Sequence, residues 1–304
     1  MNSKPAVLVR DDCRNRFIFD DFPVRGLHVH LSGVWRHIVE RKHYPIAIRR
    51  ALGELVAAGV LLSADLKAAG TLILQVQGQG KLKMLVAEAT SGQTCRATAR
   101  WDEEAEIGDE EDLNSLLGEN GVFVMTWQPQ DGEPWQGVVP LEGGSIAQML
   151  MSYMKRSEQL ETHITLAADE NNAGGLLLQR LPEQGHDEDA WTRLAVLADT
   201  VTPQELLDLD AQHLLYRLFH ETPPRVFEPE TLEFACTCSR GKVSDMLLLL
   251  GVNEVGPIVA EQGSVEIDCD FCNEKYVFDE ADVNLLFDVD VMSVVEEASS
   301  HHLQ

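Results

Sequence analysis

Apolar residues recur at spacings of three to four from Tyr44 to Leu62, with Ala51, Leu52, Leu55, Val56 and Leu62 in step and Pro45 near the start. That period predicts a core helix. The pattern then shortens to two. In TLILQVQ, Leu72, Leu74 and Val76 share a face, and in KLKMLVA so do Leu82, Met84 and Val86. With Gly78-Gln79-Gly80 between them, these runs predict a hairpin. Further strands are expected at Thr94 to Trp101 and Val122 to Trp127, separated by an acidic loop from Asp102 to Asp112. Ser145 then precedes Ile146, Met149, Leu150, Tyr153 and Met154 at helical spacing, with Gln148 where a capping box carries Glu or Gln. A methionine stripe of this kind is read as core packing in preference to a client surface.

The pattern weakens from Glu183 to Glu233. Twelve acidic residues there face only Arg193, Arg217 and Arg225, and prolines stand at 203, 223, 224 and 229. Thr202 as N-cap, Pro203 after it and Glu205 three residues past the cap still predict a helix, with Leu207, Leu214 and Leu218 along one face. With so little apolar surface, such a segment depends on docking against a neighbour. From Cys236 to about Leu286 the chain reads as a small compact unit. It has a helix ended by Gly251, a strand entering Cys269 and a strand Tyr276-Val277-Phe278 leaving the second cysteine pair.

Composition narrows the function classes. The 304 residues carry 24 Lys and Arg against 50 Asp and Glu, a formal charge of -26, which disfavours nucleic acid and anionic lipid as partners. No run of eighteen apolar residues occurs and the first residues lack an uninterrupted apolar stretch, so a cytoplasmic protein with no membrane partner is expected. Gly78-Gln79-Gly80-Lys81 lacks the spacing of a phosphate-binding loop, and Gly143-Gly144-Ser145 stops short of a nucleophile elbow because Ala147 replaces the closing glycine. His28 and His30 alternate as strand residues do, with no third metal ligand of matching spacing.

Cysteine spacing carries the chemistry. Cys236-Thr-Cys238 is followed, after thirty residues, by Cys269-Asp-Phe-Cys272. Two close pairs let four thiolates reach one ion, the arrangement of a tetrahedral structural zinc site, and one Zn2+ per chain is expected on Cys236, Cys238, Cys269 and Cys272. Cys13 and Cys95 have no such spacing and are assigned no role.

The residues that extend beyond the cysteines are similar to those of the thirty-three-kilodalton heat-shock protein family, the redox-regulated holdase chaperones. Asp20-Asp21 with Val24-Arg25-Gly26, Tyr44-Pro45, Leu52-Gly53-Glu54, Leu66-Lys67, Gln75 to Gly80, and Tyr153 followed by Ser157-Glu158-Gln159 resemble its signatures in order. The C-terminal pattern reappears as Cys236 to Arg240, Leu250-Gly251, Glu261-Gln262-Gly263 and Cys269 to Cys272. Gly241-Lys242 departs from the usual Glu-Arg, and Gly256-Pro257 is expected to interrupt a short helix that is continuous in the family.

The resemblance implies an α+β protein: an N-terminal mixed-sheet chaperone and dimerisation domain over 1–182, an acidic helical metastable linker over 183–233 and a zinc redox-switch domain over 234–290; the tail over 291–304, with Ser299, Ser300, His301 and His302, matches nothing in the family and is expected to be disordered. It implies a non-enzymatic, ATP-independent holdase that is inactive when reduced and zinc-bound. Oxidation would form the disulfides Cys236–Cys238 and Cys269–Cys272, release zinc and unfold the linker. Its partners would be unfolded or aggregation-prone client proteins and, in the active form, a second copy of the chain. Two other readings stay open: a structural zinc ribbon that recruits a protein, and a thiol oxidoreductase using Cys269 and Cys272.

Overall fold

The computed structural model describes residues 12–66, 68–141, 143–182 and 189–288, so the expected tail over 291–304 lies outside the described residues. The described residues open with β1 (Cys13–Ile18), β2 (Val24–Leu31), α1 (Gly33–Val39) and α2 (Ile46–Ser63). It continues through β3 (Gly70–Gln77), β4 (Leu82–Thr90), β5 (Thr94–Trp101), α3 (Leu113–Leu117), β6 (Val122–Pro129) and β7 (Trp135–Pro140). There follow α4 (Ile146–Tyr153), which runs into a π turn at Met154–Glu158, then β8 (Thr162–Ala168) and β9 (Ala173–Arg180).

Two compact units result, 1–235 and 236–304. In the first, α2 explains the layering. Fourteen of its eighteen residues are buried, and a helix that is apolar nearly all round needs cover on more than one side. The cover comes from two sheets, since Leu27, Val29 and Leu177 of one and Leu74, Leu85 and Ala97 of the other join α2 in a single core. The β3–β4 hairpin forms in the expected register, Leu74 opposite Ala87. At α4, Ser145 caps Gln148 N–H as expected, while the Gln148 side chain accepts from Gly144 N–H instead of closing a reciprocal box. Met149 and Met154 are core residues.

The acidic segment supplies α5 (Ala190–Ala198), α6 (Pro203–Asp208) and α7 (Ala211–Phe219). The capping box at Thr202 and Glu205 forms in full. These helices pack on the opposite face of the first sheet: Leu194, Leu206, Leu207, Leu214, Leu218 and Phe219 meet Phe17, Phe19, Val24, Leu176 and Leu178. Phe17 lies across Gly26, where a Cβ would stand 2.1 Å from its ring, so the glycine of Val24-Arg25-Gly26 clears space for that aromatic. Three two-residue strands, β10 (Arg225–Val226), β11 (Glu230–Thr231) and β12 (Glu233–Phe234), close the unit. The first sheet runs β10-β1-β2-β9-β8 with β11 also on β1, and the second runs β12-β5-β4-β3-β6-β7. The second sheet is mixed because β12 pairs with β5 in parallel. Arg14, on the α2 side of β1, donates to Val60 O at 2.7 Å and pairs with Glu230, tying β11 to the end of α2.

The second unit contains α8 (Arg240–Leu250), α9 (Val252–Gln262), β13 (Ser264–Asp268), β14 (Lys275–Asp279) and α10 (Glu280–Phe287). Among the described residues its buried core is six side chains: Leu247, Val255, Val259, Val265, Phe278 and Val283. The expected interruption at Gly256-Pro257 does not occur, since α9 runs through both. An interior proline costs roughly 3 kcal/mol. Burying Val255 and Val259 on either side returns about 1.5–3 kcal/mol each, which is enough to keep the helix whole. Gly263 ends it with φ +79, in the left-handed region glycine favours.

Candidate metal centre

All four C-terminal cysteines converge in the second unit. Cys236 and Cys238 lie on the extended chain leading into α8, whose N-cap is Ser239 accepting from Lys242 N–H. Cys269 and Cys272 form the tip of the β13–β14 hairpin, which narrows until Asp268 faces Lys275. Asn273, with φ +55, turns the chain there, and Cys269 N–H donates to Glu274 O at 3.0 Å. The four Sγ atoms lie within 4.8 Å of one another, and each residue is half-buried. Two close approaches cross between the pairs: Cys236 to Cys269 at 3.7 Å and Cys238 to Cys272 at 3.3 Å.

These distances suit a cation at the centre. Zn–S bonds of about 2.3 Å in a tetrahedron place sulfurs about 3.8 Å apart. Burial pushes the Cys269 and Cys272 thiols up, and hydrogen bonds among the sulfurs add to the effect at Cys272. Four such sulfurs become thiolates together only around positive charge, so the donor set and its spacing fit a Zn2+-type ion.

Groups that no motif or spacing singles out surround the cysteines. Tyr276, one residue into β14, donates its hydroxyl to Cys238 Sγ at 3.2 Å, and that bond raises the phenol's own pKa. The backbone N–H groups of Phe271 and Cys272 point at Cys269 Sγ, and that of Glu274 at Cys272 Sγ. Such donors offset the charge of a thiolate and fix its direction. Arg240 lies 4.1 Å over the Phe278 ring, donates to Val277 O at 2.7 Å and pairs with Asp282 at 2.7 Å. It braces the start of α8 against β14 and α10. The only sequence signal for Tyr276 was an aromatic four residues after Cys272, too common a feature to choose.

The other cysteines lie in the first unit. Burial pushes the Cys95 thiol up to about 12, which leaves it unreactive. Cys13 is buried on β1, its Sγ 3.7 Å from Asn15 Oδ1. His28 is fully buried, and burial pushes its pKa down to about 3.

Residues 12–279 match the family model described as Hsp33 protein. Among named relatives, the 33 kDa chaperonin of Neisseria gonorrhoeae (strain NCCP11945) is 72% identical over 295 residues, 97% of this chain and 98% of that protein. The 33 kDa chaperonin of Chromobacterium violaceum is 50% identical over 289 residues, 94% and 97% of the two chains. The crystal structure of the 33 kDa chaperonin from Thermotoga maritima shares the fold with a TM-score of 0.79 at 24% identity, covering 91% of this chain and 98% of that one.

Proposed function

The chain belongs to the Hsp33 family, and from that premise we propose that it is an ATP-independent holdase chaperone, switched on by oxidation of Cys236, Cys238, Cys269 and Cys272. One observation supports the reading above the rest: four thiols meet within 4.8 Å in a unit whose buried core is six side chains among the described residues. A core so small is insecure by itself, and zinc held by the four cysteines would supply the crosslink that fixes it.

The switch follows from what these residues can do. Each pair of zinc-held thiolates would lose two electrons to a peroxide-class oxidant and gain one S–S bond, while the oxidant's O–O bond breaks and its oxygens take two protons from solvent to leave as water and an alcohol. A disulfide sulfur is no longer a thiolate donor, so oxidation and metal retention exclude each other. Bridges Cys236–Cys238 and Cys269–Cys272 each close a very short loop and constrain the unfolded chain little. The unit then melts, and α5–α7 leave the first sheet and uncover Phe17, Phe19, Leu176 and Leu178 for clients. In this reading the active form is a cytoplasmic homodimer, with no catalytic residue and no nucleic-acid partner, in keeping with the charge of -26.

The test is to treat zinc-loaded, reduced protein with peroxide and follow zinc release, free thiols and suppression of client aggregation together. Zinc loss and a gain of suppression without ATP are expected. Reduced protein that suppresses aggregation as well as the oxidised form would refute the reading. Peptide mapping adds a second check, because cross-pair bridges Cys236–Cys269 and Cys238–Cys272 would keep the hairpin joined to the start of α8 and the unit closed.

A further inference from the structure

We propose that the first unit holds a second transition-metal site, separate from the four C-terminal cysteines, in which His28, His30 and Cys13 ligate a borderline divalent cation of the Zn2+ type. Along the chain, His28 and His30 have no third ligand at a telling distance. Strand pairing supplies one. In the β1–β2 register Cys13 stands directly opposite His30, and Asn15 opposite His28. Directly opposed residues on one face of an antiparallel pair have Cβ atoms about 4.5–5.5 Å apart, and residues two apart on a strand share that face. Cys13, Asn15, His28 and His30 therefore form a block of four on the face that α6 and α7 cover.

The hydrogen bonding of this block is incomplete in a directed way. His30 Nε2 lies 2.8 Å from Leu207 O, and since a carbonyl only accepts, Nε2 carries the proton. Nδ1 is then a buried lone pair, and among the described residues it has no hydrogen-bond partner. An imidazole whose far nitrogen donates to a carbonyl while the near one offers a lone pair is the usual state of a metal-ligating histidine. His28 is fully buried, and neither ring nitrogen has a hydrogen-bond partner among the described residues. Buried polar atoms without partners are few in folded proteins, and these three sit together.

The surroundings select the ligand. All four residues line a cleft of ≈ 530 Å³ together with Asp210 at the start of α7 and Glu228 in the segment before β11. Among the described residues no Lys or Arg lines it, and the field of the two carboxylates favours a cation. Imidazole and thiolate donors suit Zn2+, Co2+ or Cu ions and not the hard cations Ca2+ or Mg2+. Among the described residues, only the four C-terminal cysteines already gather their ligand atoms within 4.8 Å. Here the Cys13 thiol lies against Asn15 Oδ1 and must turn toward the imidazoles, losing its proton as the S–metal bond forms. A metal on His30 Nδ1 makes Nε2–H a stronger donor to Leu207 O, so occupancy would tighten α6 on the sheet. That last consequence rests on the linker reading above, whereas metal binding itself does not.

The experiment is a Co2+ titration of the reduced, metal-free full chain followed by its sulfur-to-metal charge-transfer and ligand-field bands. Two equivalents are expected, one with a four-thiolate spectrum and one with a single-thiolate spectrum. His28→Leu and His30→Gln should each abolish the second and leave the first, and Gln at 30 keeps a donor for Leu207 O if the apolar variant folds poorly. Cys13→Ser should remove the charge-transfer intensity of the second class alone. A single equivalent in the native chain, or a second one that survives both histidine variants, would overturn the proposal. Loss of the four-thiolate spectrum would instead count against the proposed switch.

Discussion

Leu214→Ala is the sharpest test of whether docking of the acidic helices holds the chaperone off. Leu214 is fully buried on α7 within the cluster that joins the helices to Phe17, Phe19 and Leu176. The substitution removes three carbons, about 2.4 kcal/mol at ~0.8 kcal/mol per buried carbon, and a residual cavity brings the usual range to about 2–5 kcal/mol. Alanine favours helix at least as well as leucine, so the loss falls on docking and not on α7 itself. At ~1.4 kcal/mol per tenfold, about 2.8 kcal/mol raises the undocked population roughly a hundredfold. Hydrogen exchange of the reduced protein reads this directly. Amides of α6 and α7 should exchange up to about a hundredfold faster while the β3–β4 hairpin is unchanged, and reduced protein should begin to suppress client aggregation. Tyr216→Ala on the same helix, where the side chain is 71% exposed, is the control and should change stability by less than about 0.5 kcal/mol. Unchanged exchange in α6 and α7, or equal acceleration in the hairpin, would refute the reasoning, the first by denying the contact and the second by showing that the helices and sheets unfold as one.

Two further outcomes follow from groups described or implied above. Tyr276→Phe, which removes the hydroxyl that donates to Cys238 Sγ, should weaken zinc affinity by roughly 10–100-fold in a chelator competition, as loss of a partner to a metal ligand typically does; unchanged affinity would deny the bond a role. Burial on α2 pushes the Glu54 carboxyl up to about 7 from an ordinary 4.5, against the opposing pull of Arg50. The unfolded chain therefore ionises first as pH rises, and stability is lost between about pH 4.5 and 7, by up to about 3 kcal/mol at ~1.4 kcal/mol per unit. Glu54→Gln should stabilise at pH 8 and not at pH 4, and a gain equal at both pH values in denaturant melts would contradict that origin.

What was legible in the sequence had a local cause. The hairpin, α2, the capping box at Thr202 and the paired cysteines each follow from spacings of a few residues. The strand β9 was not legible, because Ala173 to Gln179 is buried on both faces and shows no alternation to read. The chain does not announce that α5–α7 cover the far face of that sheet, since their leucines indicate a docking face and nothing about its partner. Cys13 beside His30 is a fact of register alone. The interruption expected at Pro257 failed for the opposite reason: a local rule was outweighed by the burial of Val255 and Val259, which the chain order does not reveal.

The short strands β10, β11 and β12 bear on reversibility. They fasten the chain just beyond α7 to β1 and β5, while β9 fastens it before α5. As long as both attachments hold, helices that leave the sheet form a loop anchored at each end and not a free tail. Their leucines then stay near the uncovered groove at an effective concentration on the order of millimolar. Under the proposed switch, a client occupying that groove would compete with this intramolecular rival throughout its stay, and the chain would carry its own displacing ligand in place of a nucleotide-driven release step.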